Sequence, residues 1–196
     1  MTLRGHSYAV DSVAWSPNGK QLATGSADKS TKIWDIETGK ELLTLKGGDG
    51  SPSSVAWSPD GRQLAMGSGG VLKVWNMPAA KEQLTLVNKE NVRSVAWSHD
   101  GTRLAAGMGS ALKLWNALNG EELLNLSSDA DLNSLAWASG DTRLVAGFLD
   151  GTVRIFAMDV QDLVALARQR VTRDLTQEEC RKYLHMVRCS PIARSY

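Results

Sequence analysis

Every tryptophan of the chain falls on one of two interleaved ladders. Trp15, Trp57, Trp97 and Trp137 stand 42, 40 and 40 residues apart, and Trp34, Trp75 and Trp115 follow the first three by 19, 18 and 18. Phe156 fills the next slot, 19 residues after Trp137. A fixed period near 40 residues means that one supersecondary unit recurs and that neighbouring units bury their apolar faces against each other. No other feature constrains the fold as tightly.

The segments between the tryptophans align as well. "SVAWSPNG", "SVAWSPDG", "SVAWSHDG" and "SLAWASGD" form a first element, and "KQLATGS", "RQLAMGS", "TRLAAGM" and "TRLVAGF" a second. "TKIWD", "LKVWN", "LKLWN" and "VRIFA" form a third. "ELLTLKG", "EQLTLVN" and "ELLNLSS" form a fourth, which the last unit lacks. Short apolar runs punctuated by Gly, Asn and Asp read as strands joined by tight turns. Asn18-Gly19, Asp60-Gly61 and Asp100-Gly101 supply the turns, where glycine tolerates positive φ. Adjacent Ile33 and Trp34 both look buried, which calls for a sheet covered on both faces. Radially stacked four-stranded blades provide that cover.

Repeat one carries Gly5-His6, "SVAWSPNG", "LATGSAD" and "KIWD" ending in Trp34-Asp35. At this point the sequence resembles the WD-repeat family of β-propellers over about residues 1–158. The resemblance implies an all-β propeller of four-stranded antiparallel blades, at about 5–46, 47–87, 88–127 and 128–158, with a helical tail over 159–196. It also implies a hydrogen-bonded set within blade one of His6, Thr24, Asp28 and Trp34. Trp15, Trp57, Trp75, Trp97, Trp115, Trp137 and Phe156 are expected as blade core. The pattern weakens along the chain. Repeats two and three have no His before their first strand and no Asp in a second turn that is one residue shorter, and repeat four has Asp150 but Phe156 and no His. Apolar packing alone is expected to hold blades two and three.

Charge and composition exclude several classes of function. The net charge is +1: residues 1–158 carry 15 Lys+Arg against 16 Asp+Glu, and the tail 7 against 5. Neither part has the basic excess that nucleic-acid binding requires. No apolar run approaches the ~20 residues of a membrane helix, and the first residues, "MTLRGHSYAV", form no apolar signal segment. Cys180 and Cys189 fit free thiols in a reducing compartment better than one local bridge, so the expected location is cytoplasmic.

No catalytic constellation emerges, and the expectation is a non-enzyme with no cofactor and no metal. His6 belongs to the blade network, His99 to a solvated turn and His185 to the end of a tail helix. The glycines of "GSGG" at Gly67 to Gly70 link two strands and precede no helix or Lys, so they form a hairpin and not a phosphate loop. "GDGS" at Gly48 to Ser51 lacks the further acidic ligands of a calcium loop. The serines of "AWSPDG" recur because the turn recurs.

In the tail, Val160, Leu163, Val164, Leu166 and Ala167 follow helical spacing. Thr176 with Glu179 makes a capping box for a second helix. These helices either pack on the propeller, covering a sheet edge, or dock a partner. The tail also resembles those that follow the last repeat in large bacterial multidomain WD-repeat proteins.

Four units leave the ring open to three completions: further blades upstream, a second copy making eight blades, or strained closure as a four-bladed ring. The stub Thr2-Leu3-Arg4 matches the end of a fourth strand and is a weak partner for "TVRIF". An open half-ring exposes apolar faces, which favours pairing with another copy or with further blades.

The expected function is a non-catalytic protein-interaction scaffold. Its surface uses the loops before each first strand and the turns between second and third strands, with Tyr8, Asp11, Lys29, Arg93, Asp131, Asn133 and Phe148 as candidates. Phe148 is either tucked under a neighbour or a contact anchor. The alternative is the C-terminal sensor propeller of a larger bacterial signalling NTPase or protease-like protein.

Overall fold

The computed structural model describes residues 1–46, 50–77, 79–159 and 163. The chain divides into two compact units, Met1–Phe156 and Ala157–Tyr196. The expected tail helices, both cysteines and His185 lie outside the described residues. Of that region Leu163 is described, and its N–H donates to the Asp159 carbonyl four residues back at 3.0 Å.

Among the described residues fifteen strands form four antiparallel meanders. Blade one is β1 (Val10–Trp15), β2 (Gln21–Ser26), β3 (Ser30–Asp35) and β4 (Glu41–Lys46). Blade two is β5 (Pro52–Trp57), β6 (Gln63–Ser68), β7 (Val71–Asn76) and β8 (Lys81–Val87). Blade three is β9 (Val92–Trp97), β10 (Arg103–Met108), β11 (Ala111–Asn116) and β12 (Glu122–Ser127). Blade four has three strands among the described residues, β13 (Leu132–Trp137), β14 (Arg143–Phe148) and β15 (Val153–Ala157).

The expected stub does not supply a fourth strand to blade four. Residues 1–6 form no strand and stay on blade one. A Cβ placed on Gly5 would lie 2.9 Å from the Trp34 ring, and one on Gly39 would lie 3.4 Å from Met1 Sδ and 3.7 Å from Leu3 Cδ2. Leu3 is thus partly covered locally, while Met1 stays exposed.

The first turn of each blade is built by its sequence. The Ser16 hydroxyl accepts from Gln21 N–H at 2.9 Å and donates to Asn18 Oδ1 at 2.8 Å, while Gly19 takes φ 68°. Ser58 and Ser98 repeat this arrangement with Asp60 and Asp100. In blade four Asp141 holds the left-handed position at φ 56°.

The blades join by a recurring seam. The second-strand glycine of one blade receives the first residue of the next. A Cβ on Gly25 would meet Pro52 Cβ at 3.0 Å, one on Gly67 Val92 Cγ1 at 2.3 Å, and one on Gly107 Leu132 Cδ2 at 2.1 Å. A first-strand serine accepts the next blade's backbone N–H: Val55 to Ser12 Oγ at 3.0 Å, Val95 to Ser54 at 3.0 Å and Leu135 to Ser94 at 3.1 Å. The indole N–H of Trp97 donates to the Ala56 carbonyl at 3.0 Å, and that of Trp137 to the Ala96 carbonyl at 3.2 Å. The Trp57 indole N–H is buried without such a partner.

These seams decide what is core. Ile33, Val74 and Leu114 occupy one position of the third strand and are 1%, 0% and 5% exposed, but Ile155 at the same position is 65% exposed. Trp15, expected in the core, is 58% exposed, whereas its counterparts Trp57 and Trp97 are buried. Their cover comes from the preceding blade, and no blade among the described residues covers Trp15. Trp34 and Trp115 are buried, and Trp75, Trp137 and Phe156 partly so.

Candidate functional site: the blade-one network and the interaction rim

In blade one the chain entering β1 and the β2–β3 turn meet at one end of the sheet. His6 Nδ1 lies 2.8 Å from Asp28 Oδ2, and His6 Nε2 lies 2.7 Å from Thr24 Oγ1. The indole N–H of Trp34 donates to the same Thr24 oxygen at 2.8 Å. Ser30 donates to Asp28 Oδ1 at 2.6 Å, and the backbone N–H groups of Ser7 and Ser30 donate to the carboxylate at 3.1 and 3.0 Å. Burial would raise the Asp28 carboxyl, but the bonds from Ser30, His6 and Ser7 outweigh it and hold it well below the usual carboxylate range.

Thr24, His6 and Asp28 have the connectivity of a hydroxyl–imidazole–carboxylate relay. A nucleophile needs access to substrate, and Thr24 has none. It is 6% exposed, and its oxygen is occupied by Trp34 as well as His6. The set therefore acts as a fastening between β2, β3 and the incoming chain. Asp28→Ala is expected to lower stability at neutral pH by about 1–3 kcal/mol by orphaning these donors. Because the folded carboxyl is depressed, its contribution is complete above the ordinary Asp value of about 3.9. It is lost as pH falls through the folded value. Urea titrations of both proteins at neutral pH and near pH 3 check this: their difference must shrink in acid.

Blades two and three lack the set. Met66 and Ala106 stand where blade one has Thr24, and the Trp75 indole N–H is buried with no partner. Their β6–β7 and β10–β11 turns are two-residue hairpins with Gly69 and Gly109 at φ 54° and 51°. They are not held by apolar packing alone, however. Lys32–Glu41, Lys73–Glu82 and Lys113–Glu122 pair across the outer strands at 2.7, 2.6 and 3.1 Å in successive blades. Lys two residues before Trp, and Glu at the start of the fourth element, were legible in the aligned repeats.

His99 is not simply solvated. Its Nδ1 and backbone N–H both lie 2.8 Å from Asp141 Oδ1, and Asp100 N–H donates to Asp141 Oδ2 at 2.9 Å. Burial would raise the Asp141 carboxyl, but the bonds from His99 and Asp100 lower it overall. This clamp between the turns of blades three and four was hidden because "ASGD" places its acid where the other turns have glycine.

The rim has a built-in device for presenting side chains. Each first strand carries a β-bulge at its second residue: Asp11, Ser53, Arg93 and Asn133. A bulge re-aims the side chain it carries. Asp11, Arg93 and Asn133 are exposed, as is Lys29, which tips the β2–β3 turn at φ 67°. Tyr8 is 71% exposed. Arg93 pairs with Asp131 at 3.3 Å across blades three and four. The two line a shallow depression of about 330 Å³ with Lys89, Glu90, Gly109 and Ser110. Phe148 does not belong to this surface. It is 7% exposed, and the Arg154 guanidinium sits 4.5 Å from its ring centre. Covering an aromatic face with a cation removes it from water and engages its negative π surface.

Among the described residues no cluster of His, Cys, Asp and Glu could hold a metal ion, and no helix is long and apolar enough to cross a membrane.

The family model "WD domain, G-beta repeat" matches residues 1–35 and 39–76. The model "Anaphase-promoting complex subunit 4 WD40 domain" matches residues 70–139. The chain belongs to the WD-repeat family. Individual relatives match over one repeat. A Notchless protein homolog of Arabidopsis thaliana is 49% identical over 43 residues, 22% of this chain and 9% of that protein. A ribosome biogenesis protein BOP1 homolog of Drosophila melanogaster is 48% identical over 44 residues, 22% of this chain and 6% of that protein. THO complex subunit 3 of Arabidopsis thaliana is 53% identical over 34 residues, 17% of this chain and 11% of that protein. The match thus spans a small part of each relative, and it is the WD-repeat unit that is shared.

Proposed function

We propose that this WD-repeat chain is a non-catalytic, cytoplasmic protein-interaction scaffold whose partner sits on the rim formed by the bulged first strands and the second-to-third-strand turns. The observation that carries this reading is the row of β-bulges, which turns Asp11, Arg93 and Asn133 outward beside exposed Tyr8 and Lys29. Cations and anions alternate there, which suits a protein surface of mixed charge better than a polyanion. A relative named as a subunit of the THO complex and a family model from an anaphase-promoting complex subunit support a role in assemblies.

Cross-linking followed by mass spectrometry on captured complexes tests the reading. Partners that cross-link near Lys29 and Lys89 are expected to be lost, by tenfold or more, from Tyr8→Ala/Arg93→Glu, a variant with unchanged melting. Lys40→Glu, at the opposite end of blade one, should leave them in place. Equal loss from both variants, or from neither, would sink the assignment.

A further inference from the structure

We propose that the exposed face of blade four and the exposed face of blade one are the two halves of one more seam, and that a second copy of this chain completes it, giving a closed ring of eight blades. Three independent features of the seam are open at one end of the chain and matched at the other. The first is the glycine socket. Gly25, Gly67 and Gly107 are each filled by the first residue of the next blade, but a Cβ on Gly147 would meet nothing within 4 Å among the described residues. Val10, the residue that would fill it, is exposed.

The second is the polar pair. Ser12, Ser54 and Ser94 each accept a backbone N–H from the following blade. Ala56 and Ala96 each accept an indole N–H. Their counterparts in blade four, Ser134 and Ala136, are exposed. The corresponding donors in blade one are the Val13 N–H and the indole of Trp15, and both side chains stand in solvent. The third is apolar area. Val153 and Ile155 are exposed on blade four, at positions buried in the other blades, and Val13 and Trp15 are exposed on blade one.

Among the described residues of one chain these two faces do not meet. A second copy presents both, at equal concentration and in the same register as the three seams already formed. Head-to-tail contacts close when the rotation per step divides the circle, and two identical seams related by a two-fold axis do so. Eight blades lie at the upper end of the range propellers adopt, about four to eight.

The test uses the full 196-residue chain and reads mass, so it is independent of any rim partner. Light scattering at micromolar concentration should give twice the chain mass of 21.2 kDa. Gly147→Leu fills a socket that none of the described residues occupies, so it should halve the mass and leave the far-UV spectrum unchanged. Trp15→Glu, which removes the indole donor and sets a carboxylate in the seam, should do the same. A wild-type monomer would overturn the proposal, as would a dimer unmoved by both variants or a ladder of larger open assemblies.

Discussion

Replacing Trp34 with alanine is expected to lower the unfolding free energy by about 3–5 kcal/mol, the range for removing a large aromatic from a packed site. Trp34 is 3% exposed although it lies in the blade with no predecessor. Its cover is local: Gly5 lies against the ring, His6 stacks edge-on at 6.1 Å, and Thr24 accepts its indole proton. The substitution therefore opens a cavity and strips Thr24 and His6 of their support together. Trp34→Phe separates the two effects. It keeps an aromatic ring but loses the indole N–H and the ring edge against Gly5, so a smaller cost of about 1–3 kcal/mol is expected. Urea unfolding followed by circular dichroism reads both. An alanine cost no larger than the phenylalanine cost would mean that the ring contributes little, contrary to its burial.

The second large effect is expected at Gly107. A Cβ there would lie 2.1 Å from Leu132 Cδ2, and the contact is not with the tip of a flexible chain, since Leu132 Cγ and Cβ follow at 3.0 and 3.3 Å. Gly107→Leu must part blades three and four, so a loss of about 3 kcal/mol or more is expected, the upper end for overpacked cores. Because Leu132 lies on β13, whose Leu135 and Trp137 bond Ser94 and Ala96 of β9, separation should also expose Trp137. Intrinsic tryptophan fluorescence would then shift to the red at denaturant concentrations where the wild type is still folded. An unshifted spectrum with unchanged stability would show that the seam yields more readily than its geometry indicates.

The blades were legible in the sequence because each is a local object. Strand order, turn positions and the Trp ladders all follow from a motif of about 40 residues repeated with little change. What was not legible is everything a blade borrows from its neighbour. Trp15 and Trp57 sit in identical words, "VAWSP", yet one is exposed and the other buried, since burial here belongs to the pair of blades. Phe148 was ambiguous for the same reason: only the fold brings Arg154 over its ring. The His99–Asp141 clamp spans 42 residues and was masked by a one-residue slip of the acid within its turn. The blade-one network, by contrast, was named residue by residue from the family resemblance, and its four side chains lie within hydrogen-bonding distance as a chain of contacts.

The seam described between successive blades has a bearing on how such a protein can change its size. Each junction sets a glycine and a serine hydroxyl on one face against an apolar side chain and a peptide N–H on the other, and the last two junctions add an alanine carbonyl that accepts an indole N–H. Blades two and three carry both faces, so either could be copied, deleted or exchanged in order and the new junctions would still be complementary. The repeat is a unit of heredity as much as of packing. Such a chain can lengthen by duplication of one blade with its glycine socket and serine bond already in place at the join.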